Sequence, residues 1–355
     1  MSGKPQADFT GVAPAPAHLA IDVGALDAFM REAVADYQGP VSVQKFKGGQ
    51  SNPTYLLTTP RKKYVLRRKP PGQLLPSAHA VDREYRVMTA LHGLGFPAPK
   101  THVLCEDASV IGTAFFIMDF IEGRIFWDAS LADARRDERR PLYHSLTDTL
   151  ADLHLVDYAK IGLGDYGKPG NYFARQIDRW TKQYRAAETE RIDEMERLAA
   201  WLPGAVPERE TTSIVHGDFR FDNVIMHPSE PRTLAVLDWE LSTLGNPLAD
   251  FTYYLMAWHF PPTVRGGLAG LDLDALAIPT LAEIAERYQR RTGLDALGQL
   301  DFCLAYNMFR LAAIVQGVYA RGLQGNASSE HATQLGAQIK MLAALAWGYA
   351  RQAGA

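Results

Sequence analysis

IVHGDFRFDNVIMHPSEPRTLAVLDWE, residues 214–240, contains two apolar runs, Val224–Met226 and Leu234–Leu237, on either side of a polar turn with two prolines. Apolar runs separated by such a turn predict a β-hairpin. Asn223 comes just before the first strand, and Asp238 comes just after the second. Antiparallel pairing brings the start of one strand beside the end of the next, so we expect these two side chains to be neighbours.

The side chains in this stretch suit metal-dependent phosphoryl transfer. Asp218 lies in a His-Gly-Asp loop, five positions before Asn223. In this reaction one carboxylate accepts the proton of the attacking hydroxyl, while amide and carboxylate oxygens hold Mg²⁺ on the phosphates. We therefore predict Asp218 as the base and Asn223 and Asp238 as the metal ligands. A His-Gly-Asp turn or one acidic strand end is commonplace by itself, and the spacing of all three side chains is what favours a function.

Two motifs resemble those of the aminoglycoside phosphotransferase family, which is related to the protein kinases: HGDFRFDN at residues 216–223 and LDWE at residues 237–240. Kinases carry His-Arg-Asp and Asp-Phe-Gly at these places, and the departure is typical of the small-molecule branch. The resemblance covers most of the chain. It implies an α+β, protein-kinase-like fold of two lobes, with ATP and Mg²⁺ as cofactors. The implied reaction moves the γ-phosphoryl group of ATP to a hydroxyl of a small molecule.

Length and composition set the wider expectations. A chain of 355 residues with 47% apolar content is long enough for two lobes, each with its own core. A formal net charge of -3 gives no reason to expect nucleic-acid binding. The two cysteines, Cys105 and Cys303, are far apart, which favours a reducing, cytoplasmic location. We predict no membrane segment, because no apolar stretch reaches the length needed to cross a bilayer.

The resemblance and the hydrophobic pattern together divide the chain into three parts. Residues 1–22 are predicted as a flexible arm, because the first twenty are rich in Pro, Ala and Gly and show no period. Residues 23–121 are predicted as the N-lobe, an antiparallel five-stranded sheet with one inserted helix. Residues 122–355 are predicted as a mostly helical C-lobe. The predicted strands are Val41–Phe46, Thr54–Thr58, Tyr64–Arg67, Thr101–Cys105 and Ala114–Ile121.

A glycine-containing loop between the first two of these strands is a candidate cover for the nucleotide. Gly48 and Gly49 allow backbone amides to approach a phosphate, and Ser51 or Asn52 can add a donor. A Gly-Gly hairpin is usually only a turn, and the spacing differs from the GxGxxG of kinases. The chain contains no GxxxxGK[ST] motif, which argues against a P-loop ATPase.

A basic strand and an acidic helix predict the cation that contacts the phosphates. Arg67 occupies the place where kinases carry a strand-borne Lys, although a different register would turn Arg68 or Lys69 inward. Glu84 falls on the apolar stripe of the helix predicted near Ala80–His92. A buried carboxylate needs a partner, and Arg67 is the simplest one. Alternatively, Glu84 lies at the edge of the stripe and reaches water.

The resemblance assigns roles to several further residues. Met118 and Phe120 belong to the segment that resembles the kinase hinge, where backbone groups read the adenine edge and apolar side chains enclose the ring. Arg220, two residues after the predicted base, is expected to reach the transferred group. Asp250 is expected to be structural and to bond back to the loop around Asp218.

The acceptor is predicted from a narrower resemblance. Residues 171–180 and 241–250 resemble the kinase-like domains associated with some acyl-CoA dehydrogenases, which implies a hydroxylated acyl group, possibly a hydroxyacyl-CoA. The helix predicted after Asn171 favours an anionic acceptor mildly, because it carries several cations. These cations are Arg175, Arg179, Lys182 and Arg185. We do not predict a dehydrogenase, since no βαβ segment that carries GxGxxG for a flavin or nicotinamide is visible.

Two other functions stay open at this point. The chain could be a non-catalytic nucleotide-binding module, although the intact Asp218, Asn223 and Asp238 argue against that role. It could also be a metal-dependent phosphohydrolase, which uses His, Asp and Asn clusters as well. A phosphohydrolase would need several further His or Asp ligands at strand ends.

Overall fold

The computed structural model describes residues 11–48, 52–72, 80–208, 210–264, 266–323 and 335–355. These residues pack into two compact units. Unit 1 is formed from the described parts of residues 1–134, 159–164 and 220–242, and unit 2 from those of 135–158, 165–219 and 243–355. A lobe boundary before residue 122 remains a prediction. The segment with Asn223 and Asp238 belongs to unit 1.

The described residues form strands and helices with the following bounds. The strands are β1 (Val12–Ala13), β2 (Ser42–Phe46), β3 (Thr54–Thr58), β4 (Lys63–Arg68), β5 (Thr101–Cys105), β6 (Phe115–Asp119), β7 (Ser213–Val215), β8 (Val224–Met226), β9 (Thr233–Val236) and β10 (Thr243–Gly245). The α-helices are α1 (Val23–Ala33), α2 (Val81–Gly93), α3 (Ala108–Ile111), α4 (Arg136–Leu155), α5 (Tyr172–Ala186), α6 (Asp193–Trp201), α7 (Pro247–Leu255), α8 (Leu281–Thr292), α9 (Leu300–Leu323) and α10 (Gly336–Gln352).

Unit 1 is built on an antiparallel sheet with the strand order β1-β2-β3-β4-β6-β5. The five predicted strands are all present, with ends that differ by no more than two residues. The α+β fold class is confirmed, but the number of strands was wrong, because the described sheet has six. The additional strand is β1, whose Val12 and Ala13 pair with Phe46 and Lys45. It lies inside the predicted flexible arm, and residues 1–10 of that arm lie outside the described residues.

The core of unit 1 lies between the sheet and α1. Leu26 and Met30, four residues apart on the apolar face of α1, are fully buried and belong to one cluster with Tyr55, Leu66 and Phe115 of the sheet. The N-cap of α1 is Asp22, and its carboxylate accepts a hydrogen bond from the amide of Ala25. Large buried side chains of this kind hold β4 rigidly, and β4 carries Arg67.

The hairpin predicted from residues 214–240 is present in unit 1. Strands β8 and β9 are antiparallel, with Val224 opposite Val236. The amide of Leu237 donates to the carbonyl of Asn223 at 2.8 Å, so the backbone of Asn223 lies beside that of Leu237, the residue before Asp238. The amide of Val236 donates to the carbonyl of Pro97, which joins the hairpin to the segment that follows α2.

Unit 2 consists of α4 to α10 and the short antiparallel pair of β7 and β10. Arg287 of α8 donates to both carboxylate oxygens of Asp148 on α4, at 2.7 and 2.6 Å, which fixes the two helices in register. Helix α9 is buried along most of its length, although it contains the charged residue Arg310. None of the helices in the described part of the chain is both long and apolar enough to cross a membrane.

A half-buried histidine in unit 2 makes the stability of the fold sensitive to acid. Burial lowers the pKa of His259 to about 4, and the Tyr349 hydroxyl lies 2.6 Å from its Nδ1. The unfolded chain takes up this proton near pH 6.5, whereas the folded chain does not take it up until about pH 4. Stability from this group is therefore present above pH 6.5 and is lost as the pH falls toward 4.

We expect His259→Gln to flatten the pH dependence of the free energy of unfolding between pH 6.5 and 4 by roughly 2–3 kcal/mol. Urea unfolding at several pH values measures this difference. The control is His18→Gln, because His18 is exposed, and it should leave the profile unchanged. A His259→Gln protein as acid-sensitive as the parent would show that His259 is not the responsible group.

Candidate active site

Arg67 lies at the centre of a charged cluster in unit 1. It is opposite Thr54, at the end of β3 that follows the glycine loop, and its side chain is 10% exposed. Its Nε lies 2.9 Å from a Glu84 oxygen, and its terminal nitrogen lies 2.5 Å from Asp238 Oδ1 and 3.6 Å from Glu240. The ion pair expected between Arg67 and Glu84 is therefore present in the structure.

The structure separates Arg67 from its two basic neighbours. Arg68 donates to the carbonyl oxygens of Ile111 and Leu19, at 3.2 and 3.1 Å. Lys69 lies 3.8 Å from Asp82, in the first turn of α2. Arg67 is thus the member of this basic run that contacts Glu84 and Asp238.

The electrostatics of the cluster follow from its burial. Burial acts to lower the pKa of Arg67, but the three carboxylates of Glu84, Asp238 and Glu240 raise it above its usual range. Burial raises the pKa of Glu84. The charge of Arg67 opposes this increase, and the negative charges of Asp238 and Glu240 add to it. The cluster therefore has an excess of negative charge around one permanent cation, which favours the binding of a further cation.

Asn52 supports this cluster from the glycine loop. It is fully buried, and its amide nitrogen donates to Glu84 Oε1 at 2.8 Å. The amide that we predicted as a phosphate donor is thus bonded to Glu84 and helps to hold it. Gly48 follows β2 and is half-buried, whereas Gly49 and Ser51 lie outside the described residues.

Asp238 has a strained backbone at the end of β9. Its φ of 63° and ψ of 60° place it in the left-handed region, which is uncommon for a residue with a side chain. The neighbouring Trp239 is 1% exposed, donates from its ring nitrogen to the carbonyl of Val236 and packs edge-on against Phe96. Burial of Trp239 holds the turn that presents Asp238, and strain of this kind is common at functional sites.

Asn223 ends a short 3-10 turn, Phe221–Asn223, that leads into β8. Arg220 stands just before this turn and pairs with Asp222 at 2.7 Å. The side-chain oxygens of Asn223 and Asp238 are hard donors, and the backbone of Asn223 lies beside Leu237, the residue before Asp238. Such a pair fits Mg²⁺, because this ion takes few protein ligands and completes its shell with phosphate and water. The described residues contain no cluster of three or more His, Cys, Asp or Glu side chains suited to a metal ion.

The predicted hinge residues lie at the end of β6. Met118 is buried in the sheet, opposite Val65 of β4. Phe120 follows the last residue of β6 and is half-buried, with the Lys63 ammonium 5.3 Å from its ring centre. A role for either residue in binding adenine stays a prediction.

Asp218 lies in unit 2, where side-chain and backbone contacts fix its position. The Tyr253 hydroxyl donates to Asp218 Oδ1 at 2.5 Å, and the amide of Asp218 donates to Nδ1 of the buried His216 at 3.2 Å. The side chain of Asp218 is half-buried. A carboxylate that is held in place and still partly exposed is suited to accept a proton from a bound hydroxyl.

Asp250 holds the loop in front of Asp218, as the resemblance implied. Its two carboxylate oxygens accept hydrogen bonds from the amides of His216 and Gly217, at 2.6 and 2.8 Å. Gly217 has a φ of 86°, a conformation that a side chain would strain. Burial acts to raise the pKa of Asp250, but hydrogen bonding and charge from His154 and His216 keep it below the usual range. Asp250 therefore remains ionised and is a structural anchor.

Two side chains beside Asp218 were not identified from the sequence. Tyr253 lies in an aromatic helix, where the sequence does not distinguish it from residues that serve only in packing. Arg310 lies in the middle of the apolar helix α9, is 5% exposed, and donates to the carbonyl of Gly217 at 2.7 Å. Its charge in an apolar helix was the available signal, because a buried charge requires a partner.

The cations of α5 have partners within unit 2, which weakens the case for an anionic acceptor. Arg175 donates to the carbonyls of Gly170 and Lys168, Lys182 pairs with Asp178 at 2.8 Å, and Arg185 lies 3.6 Å from Glu196. The Arg179 guanidinium lies over the ring of Trp180. These contacts explain the four side chains without a ligand, so they do not define an acceptor site.

Replacing Glu84 by glutamine tests the anchor of Arg67. We expect Glu84→Gln to lower the free energy of unfolding by roughly 1–3 kcal/mol, because a buried charge-assisted pair is lost. Urea unfolding measures this loss. Glu240→Gln is the matched comparison and should cost less, because Glu240 is more exposed and farther from Arg67. Equal losses for the two variants would show that Glu84 is not the principal anchor.

The chain has a kinase-like fold. Unit 1 contains an antiparallel sheet with a buried Arg-Glu pair, and the helical unit 2 carries Asp218 in a His-Gly-Asp loop. Residues 42–302 match the model of the phosphotransferase enzyme family, and the chain belongs to this family. The resemblance to aminoglycoside phosphotransferases is thereby confirmed.

Three similar proteins extend this result. A crystal structure from Ralstonia eutropha, of a protein proposed to be an aminoglycoside phosphotransferase, is 50% identical with a TM-score of 0.86, and the match covers 94% of this chain and 99% of that one. Acyl-CoA dehydrogenase family member 10 of Mus musculus is 44% identical over 340 residues, which are 95% of this chain and 32% of that protein. The chain thus spans about a third of this relative's length.

The third similarity concerns the fold alone. A thermostable mutant of aminoglycoside phosphotransferase APH(4)-Ia, solved as a ternary complex with ADP and hygromycin B, is 15% identical with a TM-score of 0.58. The match covers 93% of this chain and 99% of that one. A kinase-like fold is therefore shared over almost the whole of both chains.

Proposed function

We propose that this chain is an ATP- and Mg²⁺-dependent phosphotransferase that moves the γ-phosphoryl group to a hydroxyl of a small molecule. The observation that carries the proposal is the contact of Arg67 with both Glu84 and Asp238, a cation anchored by one buried carboxylate beside a predicted metal ligand. Membership of the phosphotransferase family supports it. The ADP named for the APH(4)-Ia complex supports a nucleotide ligand.

In the proposed reaction the acceptor oxygen forms a bond to the γ-phosphorus, and the bond from that phosphorus to the β-γ bridging oxygen breaks. Asp218 takes the hydroxyl proton, and ADP leaves. Arg67 neutralises the phosphates, and Arg220 stabilises the transferred group. Asn223 and Asp238 would hold Mg²⁺, whose positive charge lowers the barrier by stabilising charge on the phosphate oxygens.

The nucleotide would be bound by residues of unit 1. Met118 and Phe120 are proposed to contact the adenine, and the loop with Gly48, Gly49 and Ser51 to cover the phosphates. Asn52 would act indirectly, since its amide is bonded to Glu84. Arg67 would then be oriented toward the phosphates by Glu84 before the nucleotide arrives, which reduces the cost of ordering it.

The proposed acceptor is a hydroxylated acyl group, possibly a hydroxyacyl-CoA. Its support is the 44% identity to a protein named as a member of the acyl-CoA dehydrogenase family. The cations of α5 do not add to this support, because they have partners within unit 2. The acceptor therefore needs a direct test.

A screen for acceptor-dependent ADP formation tests the proposal. The purified chain would be incubated with ATP and Mg²⁺ and with hydroxyacyl-CoAs, sugars, choline-like alcohols or aminoglycosides. We expect a hydroxyacyl-CoA to stimulate ADP formation and to gain a phosphoryl group in the mass spectrum. Inorganic phosphate as the product with every acceptor would favour a phosphohydrolase and contradict the proposal.

A further inference from the structure

Helix α7 binds both the backbone and the side chain of the loop that carries Asp218. Asp250 accepts hydrogen bonds from the backbone amides of His216 and Gly217, and the Tyr253 hydroxyl donates to Asp218 Oδ1 at 2.5 Å. Asp250 and Tyr253 are three positions apart, so they lie on the same face of the helix. One face of α7 therefore sets the position of the loop and the orientation of its carboxylate.

Helix α9 also contacts the loop that carries Asp218 and the ring of Tyr253. Arg310 donates to the carbonyl of Gly217 at 2.7 Å, and its guanidinium lies 5.3 Å from the ring centre of Tyr253 and 5.7 Å from that of Trp180. Asn307, one turn earlier, donates to the carbonyl of Ala249 on α7 at 2.8 Å. The ring of Tyr253 is thus held by a buried cation, and the helix that carries it is fastened to α9.

We propose that Tyr253 is a positioning residue for Asp218, which holds one oxygen of this carboxylate while the other takes the proton of the acceptor. The inference rests on the proposed function for its catalytic consequence. Tyr253 keeps its own proton throughout, and the proton released by the acceptor hydroxyl passes to Asp218. A fixed carboxylate meets the hydroxyl in a productive orientation more often than a rotating one.

The hydrogen bond also has an electrostatic effect. A donor to a carboxylate stabilises its charged form, so loss of the Tyr253 hydroxyl should raise the pKa of Asp218. The titratable and charged groups shown to act on Asp218 within unit 2 are Tyr253 on α7, Arg310 on α9 and His216 in its own loop. Asp250 is bonded to the amides of the two preceding residues. Replacing Tyr253 by phenylalanine changes only the first of these interactions directly.

The test compares Tyr253→Phe with Tyr254→Phe. The two tyrosines are adjacent on α7 and similarly buried, at 6% and 4% exposure, but the Tyr254 hydroxyl lies 3.4 Å from Thr147. We expect Tyr253→Phe to lower kcat by roughly 10- to 100-fold, because a hydrogen bond to a charged group is lost. The KM for ATP should be unchanged. The acid limb of the kcat/KM profile should move to higher pH. Tyr254→Phe should change neither quantity.

A second readout does not depend on turnover. The pH titration of the Asp218 carboxyl, followed by ¹³C NMR and assigned with Asp218→Asn, should move to higher pH in Tyr253→Phe and stay in place in Tyr254→Phe. An unchanged titration in both folded variants would overturn the inference. If the parent chain transfers no phosphoryl group to any acceptor, the proposed function fails, and the NMR titration still decides whether Tyr253 controls Asp218.

Discussion

Asp218→Asn is expected to lower turnover with ATP and the acceptor by about 1000-fold, because the amide cannot take the hydroxyl proton. The side chain keeps its shape and can still accept the hydrogen bond of Tyr253. Binding of ATP with Mg²⁺ should persist, since it is assigned to residues of unit 1. Steady-state ADP formation measures turnover, and calorimetry measures nucleotide binding.

The control for this experiment is Asp152→Asn. Asp152 is an exposed carboxylate on α4 that pairs with Arg291, so its replacement removes the same charge from the surface of unit 2. It should leave turnover unchanged. Turnover of Asp218→Asn within a few-fold of the parent would contradict the assignment of Asp218 as the base.

Asp238→Asn is expected to lower turnover by at least about 1000-fold for a different reason, because it weakens the hold on the metal that stabilises phosphate charge. Here the dependence of nucleotide binding on Mg²⁺ should be lost as well. Thermal unfolding with ATP, with and without Mg²⁺, measures this dependence, because a ligand that binds the folded state raises its stability.

Asp82→Asn is the control for the second experiment. Asp82 is an exposed carboxylate of unit 1 near Lys69 and is separate from the Arg67 cluster. Its replacement should preserve both turnover and the effect of Mg²⁺. Normal turnover of Asp238→Asn would be incompatible with a role for Asp238 in metal binding. The two variants together separate proton transfer from metal binding, since only Asp238→Asn should affect the nucleotide.

The strands of unit 1 were predictable because alternating or β-branched runs are bounded by Gly and Pro turns. Strand β1 was not, because Val12 and Ala13 lie in a segment with the composition of a flexible arm. Val12 and Ala13 form a strand because they pair with Phe46 and Lys45 at the edge of β2, and not because of a local preference for strand conformation. A strand of two residues therefore depends on its partner, which a local pattern does not contain.

The part of the site that was predictable depends on periodicity. Glu84 falls on the apolar stripe of α2, and a buried carboxylate there required a cation, which the structure places at Arg67. Asn52 was predicted only as a polar residue of a glycine loop, because the sequence does not show that it lies against Glu84, thirty-two positions later. Long-range partners of this kind are set by packing.

Tyr253 and Arg310 show the same limit in unit 2. Each contacts the Gly217–Asp218 loop from a helix that is otherwise apolar or aromatic. The argument that identified a partner for Glu84 applies equally to Arg310, since both are charged residues in an apolar helical stripe. It does not apply to Tyr253, whose hydroxyl is compatible with ordinary packing and acquires a role only through its contact with Asp218.

The central claim is that Asn223 and Asp238 hold a metal ion on the nucleotide whose terminal phosphate is transferred. A crystal structure of the chain with Mg²⁺ and a non-hydrolysable ATP analogue tests it most directly. The account predicts Mg²⁺ at about 2.1 Å from an oxygen of each side chain and bound to phosphate oxygens of the analogue. A bound analogue whose metal ion contacts neither Asn223 nor Asp238 would contradict it.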